Sequence, residues 1–281
     1  MKYDYKRVII IGVDGAGDFF KDADTPNIDK IFANGAVCHD ALTSIPTISA
    51  ECWGSMLLGV TPEVHGLTNG SLDIPYDTKS VFPSVFRVTR EKYPDAKLAS
   101  FCNWNPINTG IVENGIDVFK DTSGDKELSS KICNYIKEND FTLIFIQFDE
   151  VDGAGHGNGY GTPGHLAKIA ETDVYVGDIY NALEESGQLE DTLIILSADH
   201  GGTPQGGHGG TTDAEKIIFI AFAGKTVNKC ELCELEVRDI AAITVCALGE
   251  EQPVSWTARV PKGLFCDYEG GGERPAGMPK Q

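Results

Sequence analysis

The feature that most constrains the fold is a set of five short apolar runs that are rich in β-branched residues. Runs without polar alternation are typical of parallel strands that are covered on both faces. Helical patterns, with apolar residues three and four positions apart, lie between them. This alternation predicts an α/β fold, a three-layer sandwich with a mostly parallel central sheet and helices on both faces. The predicted strands are 7–13, 97–102, 142–148, 192–197 and 216–222. The predicted helices are 26–34, 126–139, 166–187, 237–248 and one that follows Ser49 and extends through Leu58.

A single domain over residues 1–281 is expected, because no linker rich in Pro, Gly or Ser divides the chain and no internal repeat is visible. Two segments, 69–97 and 103–125, have room for small insertions on the substrate side. The glycine-rich segment 270–281 is expected to be a flexible tail.

The balance of charges restricts the partners. The chain has 42 Asp and Glu residues and 23 Lys and Arg residues, which gives a formal net charge of −19. A field of this sign repels nucleic acid backbones and anionic membrane surfaces, so no nucleic acid polymer is expected as a partner. An anionic substrate would need local positive charge, which a bound metal ion can supply.

The apolar stretches are too short for export or membrane insertion. The run at 8–13 is shorter than a signal-peptide core, and no run of about 18 apolar residues follows. These features predict a cytoplasmic chain with no membrane partner. They give no indication of the oligomeric state. The eight cysteines are therefore expected to be reduced. Cys230 and Cys233 lack the second pair that a zinc knuckle needs.

Carboxylate and imidazole side chains cluster directly after three of the predicted strands. One such Asp would usually cap a turn, but the repetition favours a shared site, because the carboxyl ends of parallel strands meet at one edge of a sheet. Asp and His donors suit Zn²⁺ or Mn²⁺ better than Ca²⁺. The candidate ligands, enough for two metal ions, are Asp14, Asp149, Asp152, His156, Asp199, His200 and His208.

Glycine-rich stretches surround these candidates at 153–164 and 201–210. Both are predicted to be loops in which glycine allows close approach of the backbone and unusual dihedral angles. Loops that only connect two elements would not need Asp and His interleaved with Gly.

A hydroxyl group, that of Ser49, stands just before a predicted helix that extends through Leu58 and ends at Gly59. There Ser49 would feel the positive end of the helix dipole and several free N–H groups, which suits a nucleophile that accepts a phosphoryl group. An N-cap role for Thr47 or Ser49 is the alternative interpretation, and the two roles are compatible.

Four segments in this order resemble the alkaline phosphatase superfamily, and most closely its type I phosphodiesterase/nucleotide pyrophosphatase branch. They are VIIIGVDG, PTISAECWGSMLLGVTPEVHG, DEVDGAGHGNG and LSADHGGTPQGGHGG, and they extend over residues 8 to 210. The resemblance implies an alkaline phosphatase-like fold with two metal sites. One metal would be held by Asp14, Asp199 and His200 and would also contact the nucleophile, and the other would be held by Asp152, His156 and His208.

The same resemblance implies two further roles. Ser49 would be the nucleophile, where the branch often has Thr, and Asn69 would hold a phosphate oxygen. His65 belongs to the motif in a structural role, whereas His39 and His165 match no ligand position.

The resemblance therefore implies a two-metal hydrolase of small phosphate esters that acts through a covalent phospho-seryl intermediate, with Zn²⁺ expected and Mn²⁺ as the alternative. No Arg lies beside Ser49 to clamp a second free phosphate oxygen, which favours a phosphodiesterase or nucleotide pyrophosphatase over a phosphomonoesterase. A sulfatase is disfavoured because the segment lacks the Pro and Arg of the sulfatase motif. A non-catalytic metal-binding homologue is the remaining alternative.

Aromatic residues near the predicted insertions could contact a leaving group. Tyr76 and the segment 103–108, which contains Trp104, are candidates for an apolar wall. Phe82 and Phe86 are expected to pack in the core.

Overall fold

The computed structural model describes residues 5–266, so the predicted tail at 270–281 lies outside the described residues. Within that range, eight strands form one central sheet. They are β1 (Arg7–Val13), β2 (Ala36–Leu42), β3 (Leu98–Cys102), β4 (Val118–Asp121), β5 (Leu143–Phe148), β6 (Thr192–Ala198), β7 (Ile217–Ala223) and β8 (Cys230–Glu231).

Helices connect the strands and pack against the sheet. In chain order they are α1 (Pro26–Phe32), α2 (Ser49–Leu58), α3 (Pro62–His65), α4 (Val85–Lys92), α5 (Pro106–Gly110), α6 (Asp125–Glu138), α7 (Glu150–Asn158), α8 (Pro163–Glu185), α9 (Asp213–Lys216) and α10 (Asp239–Ala247). No helix in the described part of the chain is both long enough and apolar enough to cross a bilayer. All eight cysteines are free.

The sheet has the strand order β4-β3-β5-β1-β6-β7-β2-β8. The first five strands in this order pair in parallel, and β8 pairs in parallel with β2. β7 runs antiparallel to both of its neighbours. The predicted mostly parallel α/β sandwich is therefore confirmed, with one antiparallel strand inside the sheet.

The sequence prediction missed the strands β2, β4 and β8. β2 contains the exposed residues His39 and Asp40, and its register with β7 shifts between Cys38 and Ala41. It therefore lacks the continuous apolar run that marks the five predicted strands. β4 and β8 are four and two residues long and lie at the two edges of the sheet, where burial imposes little pattern.

The two segments with room for insertions also contribute to the sandwich itself. Segment 103–125 supplies α5 and the edge strand β4. Segment 69–97 supplies α4, in which Phe86 is fully buried, and Phe82 packs against the same core. Both phenylalanines thus occupy the core positions expected of them.

The glycine-rich stretch after β5 is not a loop throughout. The prediction was wrong for its first part, because α7 continues to Asn158. A Cβ on Gly155 would lie 2.4 Å from the ring of Tyr160, so this glycine permits close packing inside a helix.

The start of α7 is stabilised from a distant part of the chain. The backbone N–H groups of Asp149 and Glu150 donate to the two carboxylate oxygens of Asp125, each at 3.0 Å. Asp125 begins α6, so this N-terminal cap could not be read from the residues next to α7.

α2 packs against β1 through a large ring that lies over a glycine of the strand. Trp53 is fully buried, and a Cβ on Gly12 would lie 2.4 Å from its indole ring. α2 ends at Gly59, which has a φ of +65° and packs against Trp256. These contacts at its middle and its end fix where the first residue of α2, Ser49, lies.

Replacing Gly12 with Ala should lower the free energy of unfolding by about 1–3 kcal/mol, because the added methyl group overlaps the Trp53 ring. Urea denaturation would measure the change. Gly153→Ala is the matched control, since a Cβ there meets no atom within 4 Å and helix propensity favours Ala by about 0.5–1 kcal/mol. Equal stability of Gly12→Ala and the unchanged protein would contradict this packing.

Candidate active site

The candidate ligands converge because β5, β1 and β6 are neighbours in the sheet. Parallel pairing aligns Val13 with Phe148 on one side and with Ala198 on the other. The residues that follow these three positions therefore leave the sheet at the same edge. They include Asp14 after β1 and Asp199 after β6.

Asp14, Asp199 and His200 form the first cluster, called site A. One ligand atom of each lies within 4.8 Å of the others, and all three residues are buried. His200 Nε2 is 3.5 Å from Asp14 Oδ1 and 3.4 Å from Asp199 Oδ2. His200 Nδ1 contacts the Gly201 carbonyl at 2.9 Å, which leaves Nε2 as the ligand atom.

Asp152, His156 and His208 form the second cluster, called site B. Asp152 and His156 lie four residues apart on one face of α7, with Nε2 of His156 3.2 Å from Asp152 Oδ2. The Nε2 atoms of His156 and His208 are 3.2 Å apart. Their Nδ1 atoms contact the carbonyls of Gly206 at 2.8 Å and Thr47 at 2.7 Å, which again leaves Nε2 as the ligand atom.

The buried carboxylates of site A fit a bound cation. Asp14 Oδ1 and Asp199 Oδ2 are buried without a hydrogen-bond partner, and both lie within 3.5 Å of His200 Nε2. Burial raises the pKa of Asp14 well above its usual range, and the nearby Asp199 and Asp152 carboxylates raise it further. Burial likewise raises the pKa of Asp199. A divalent cation would offset this repulsion, and the oxygen and imidazole donors are those that Zn²⁺ and Mn²⁺ accept.

Ser49 is the hydroxyl that reaches site A. It is the first residue of α2, and its Oγ lies 3.3 Å from His200 Nε2. Burial lowers the pKa of His200, so a neutral imidazole faces the serine.

The hydroxyl of Thr47, the other candidate in this segment, forms hydrogen bonds away from site A. Its Oγ1 accepts from the N–H of Gly209 at 2.9 Å and donates to the Gly210 carbonyl at 3.1 Å. Its carbonyl contacts His208 Nδ1. Thr47 therefore fixes the His208 loop to the segment before α2. The structure thus gives Thr47 and Ser49 different contacts, a choice that the sequence did not decide.

Asn69 lies beside the start of α2, where its Oδ1 accepts from the Ala50 N–H at 3.0 Å. The Ala50 N–H at the start of α2 is therefore already paired. The bond occupies the amide oxygen and leaves Nδ2 as the donor of the Asn69 side chain.

The remaining histidines have structural contacts. His65 Nδ1 accepts from the Leu67 N–H at 3.0 Å, and its Nε2 is 3.2 Å from the Glu51 carbonyl. His165 is fully buried, with Nε2 3.2 Å from the Gly15 carbonyl. His39 pairs with Asp18 at 2.7 Å. None of the three belongs to site A or site B.

Sequence reasoning missed three residues that hold the candidate ligands. Trp53 Nε1 and Gln147 Nε2 each donate to Asp14 Oδ2 at 3.0 Å, and Tyr160 donates its hydroxyl to Asp152 Oδ1 at 2.5 Å. Gln147 did leave a signal, because it is the single polar residue in the strand LIFIQF.

Of the two aromatic candidates for an apolar wall, one is linked to the site and the other is not. Tyr76 directs its hydroxyl to the Ser80 hydroxyl and the Phe82 carbonyl, at 2.9 and 3.0 Å. Trp104 is half-buried, and its backbone N–H donates to Gln147 Oε1 at 2.8 Å. Trp104 is thus linked to Asp14 of site A through Gln147. The hydroxyl of Tyr76 bonds only within its own segment.

The eight-stranded sheet and the two clusters at its carboxyl edge define an alkaline phosphatase-like α/β protein. The family model of type I phosphodiesterase / nucleotide pyrophosphatase matches residues 8–92 and 71–212. The chain belongs to this family.

Three similar proteins agree with this placement. Murine ectonucleotide pyrophosphatase/phosphodiesterase 5 has a TM-score of 0.72 at 13% identity, with 87% of this chain and 95% of that chain covered, which shows the shared fold. Human ectonucleotide pyrophosphatase/phosphodiesterase family member 7 is 21% identical over 70% of this chain and 48% of its own length. GPI ethanolamine phosphate transferase 2 of Aspergillus oryzae is 29% identical over 39% of this chain and 13% of its own length. The chain thus spans less than half of either curated relative.

The contacts of His65 give a pH dependence. Burial lowers its folded pKa to about 4, below the usual value of 6.5. The unfolded chain therefore takes up a proton first as the pH falls. The stability that neutral His65 contributes is present above pH 6.5 and is lost progressively towards pH 4, by at most about 3 kcal/mol.

Urea denaturation of the unchanged protein and of His65→Gln would measure this effect, because Gln has no proton to gain in this range. The difference in unfolding free energy should shrink between about pH 7 and about pH 4.5. A difference that stays constant over that range would contradict the proposed origin.

Proposed function

We propose that this protein cleaves phosphodiester or pyrophosphate bonds with Ser49 as the nucleophile and divalent cations at sites A and B. The observation that carries the proposal is the position of the Ser49 hydroxyl, 3.3 Å from a histidine of site A and at the start of a helix. Membership of the type I phosphodiesterase/nucleotide pyrophosphatase family supports the reaction class.

The residues of the chain would divide the work as follows. Asn69 Nδ2 donates to a non-bridging oxygen and holds the phosphoryl group against α2. Ser49 Oγ bonds to phosphorus as the bond to the leaving oxygen breaks, the serine proton passes to solvent, and the leaving oxygen is protonated by water. A second water then cleaves the seryl ester and frees Ser49. When bound, the two cations supply charge stabilisation and lower the pKa of coordinated hydroxyl groups.

The electrostatics favour a diester over a monoester. Within residues 5–266, no Lys or Arg forms an ion pair or hydrogen bond with Ser49, Asn69 or the six residues of sites A and B. A phosphodiester carries one negative charge, whereas a monoester carries up to two and usually needs a cationic side chain as well. A phosphomonoesterase is the alternative that the assay below separates.

Transfer to an alcohol is a second candidate function. One curated relative is named as an ethanolamine phosphate transferase and another as a pyrophosphatase/phosphodiesterase. The seryl ester is the same in both reactions, and the acceptor that attacks it decides between them. A small phosphate-ester substrate, Zn²⁺ in preference to Mn²⁺, and a cytoplasmic location stay predictions.

Ser49→Ala should lower turnover of bis(p-nitrophenyl) phosphate by about 10³-fold or more, because it removes the hydroxyl that faces site A, and the neighbouring Thr47 hydroxyl is bonded to the His208 loop. Metal content per chain should stay unchanged, since sites A and B keep their side chains. Ser44→Ala is the control, because that hydroxyl donates to Ser55 and not to either site. Near-full turnover of Ser49→Ala would overturn the assignment, and loss of metal would show a structural role instead.

The leaving group and the acceptor can be tested in one assay series. Turnover of bis(p-nitrophenyl) phosphate should exceed that of p-nitrophenyl phosphate when the protein is supplied with Zn²⁺ or Mn²⁺. Ethanolamine or another short alcohol added to the diester reaction reports transfer as a new phosphodiester product. Monoester preference would favour the phosphatase alternative, and no turnover with either metal would favour a non-catalytic homologue.

A further inference from the structure

One amide links several parts of the site. Gln147 is fully buried in β5, among apolar residues. Its Oε1 accepts from the Trp104 N–H at 2.8 Å, and its Nε2 donates to Asp14 Oδ2 at 3.0 Å and to Asp149 Oδ1 at 2.8 Å. A buried amide in an apolar strand is costly unless bonded, so these partners explain how a glutamine is tolerated there.

The contacts give the two oxygens of Asp14 different roles. Oδ2 accepts from Gln147 Nε2 and from the indole N–H of Trp53, both at 3.0 Å. Oδ1 is equally buried, has no donor, and lies 3.5 Å from His200 Nε2. Two donors on one oxygen fix the plane of the carboxylate and leave the other oxygen facing site A.

The same amide reaches the helix of site B. Asp149 is the N-cap residue of α7, which carries Asp152 and His156. The Gln147 amide therefore contacts the Asp14 carboxylate of site A, the N-cap residue of the site B helix and the backbone of Trp104. No other side chain described above contacts all three.

We propose that Gln147 is a positioning residue that orients Asp14 as a ligand of site A, with Trp53 as the second donor. The proposal rests on the proposed function, because it assumes that site A binds a cation. Only an uncharged side chain with both a donor and an acceptor satisfies the three partners of Gln147. Leu offers neither group, and Glu would add a third carboxylate beside Asp14 and Asp149.

The test uses Co²⁺ titration followed by visible absorption, with calorimetry of Zn²⁺ binding in parallel. Site A is identified as the absorption band that Asp14→Asn lacks. Gln147→Leu should weaken binding at that site by about 10–100-fold and weaken the other site much less, because Asp125 still holds the start of α7. Trp53→Phe should weaken the same site, and the double variant should lose less than the product of the two losses, because both donors serve one oxygen.

Gln188→Leu is the matched control. Gln188 is also a buried glutamine, and its amide donates to the carbonyls of Ile136 and Asn139. That variant should lose stability and keep both metal affinities.

Unchanged affinity of site A in Gln147→Leu, or equal weakening of both sites, would overturn the proposal while the proposed function stands. Absence of any metal binding by the unchanged protein would instead overturn the proposed function and this inference with it. If Gln147→Leu does not fold, Trp53→Phe carries the same test, and unchanged affinity of site A in that variant would count against the proposal.

Discussion

The candidate site depends on the repulsion between two carboxylates that the sheet forces together. Parallel pairing of β1 with β6 places Asp14 and Asp199 side by side as the chain leaves the sheet, and both are buried. The scaffold satisfies one oxygen of each, through Gln147 and Trp53 for Asp14 and through two backbone N–H groups for Asp199. The other two oxygens face a common space, which only protons or a cation can make favourable. A cation bound between these oxygens would supply positive charge locally, so a chain with a net charge of −19 could still bind an anionic ester.

The sequence predicted the parts of the fold and site that are encoded locally. β1, β5 and β6 are short buried runs, and the carboxylates that follow them are adjacent in the chain to the strands that position them. β2 could not be recognised, because an irregularity puts exposed polar residues in its middle. α7 was mistaken for a loop, because its cap comes from Asp125 and one of its glycines, Gly155, makes room for the Tyr160 ring.

The contacts that orient the ligands were beyond prediction for the same reason. Gln147 reaches Asp14 across 133 positions of the chain, and Thr47 reaches Gly209 across 162. A single sequence shows which residue types are present but not which distant partner each one meets. The hydroxyl groups of Thr47 and Ser49 illustrate this point, since only the folded chain shows that one fixes a loop and the other faces site A.

The unequal burial of the two sites has a consequence for how metal would be gained and lost. The side chains of site A are almost completely enclosed, whereas about half of the His156 side chain at site B is open to solvent. A cation at site B could therefore exchange with free metal or a chelator while the protein stays folded. Exchange at site A would be slower, because its ligand side chains are covered. The inner ion would then be the more lasting of the two, and the outer ion would follow the metal supply of its surroundings.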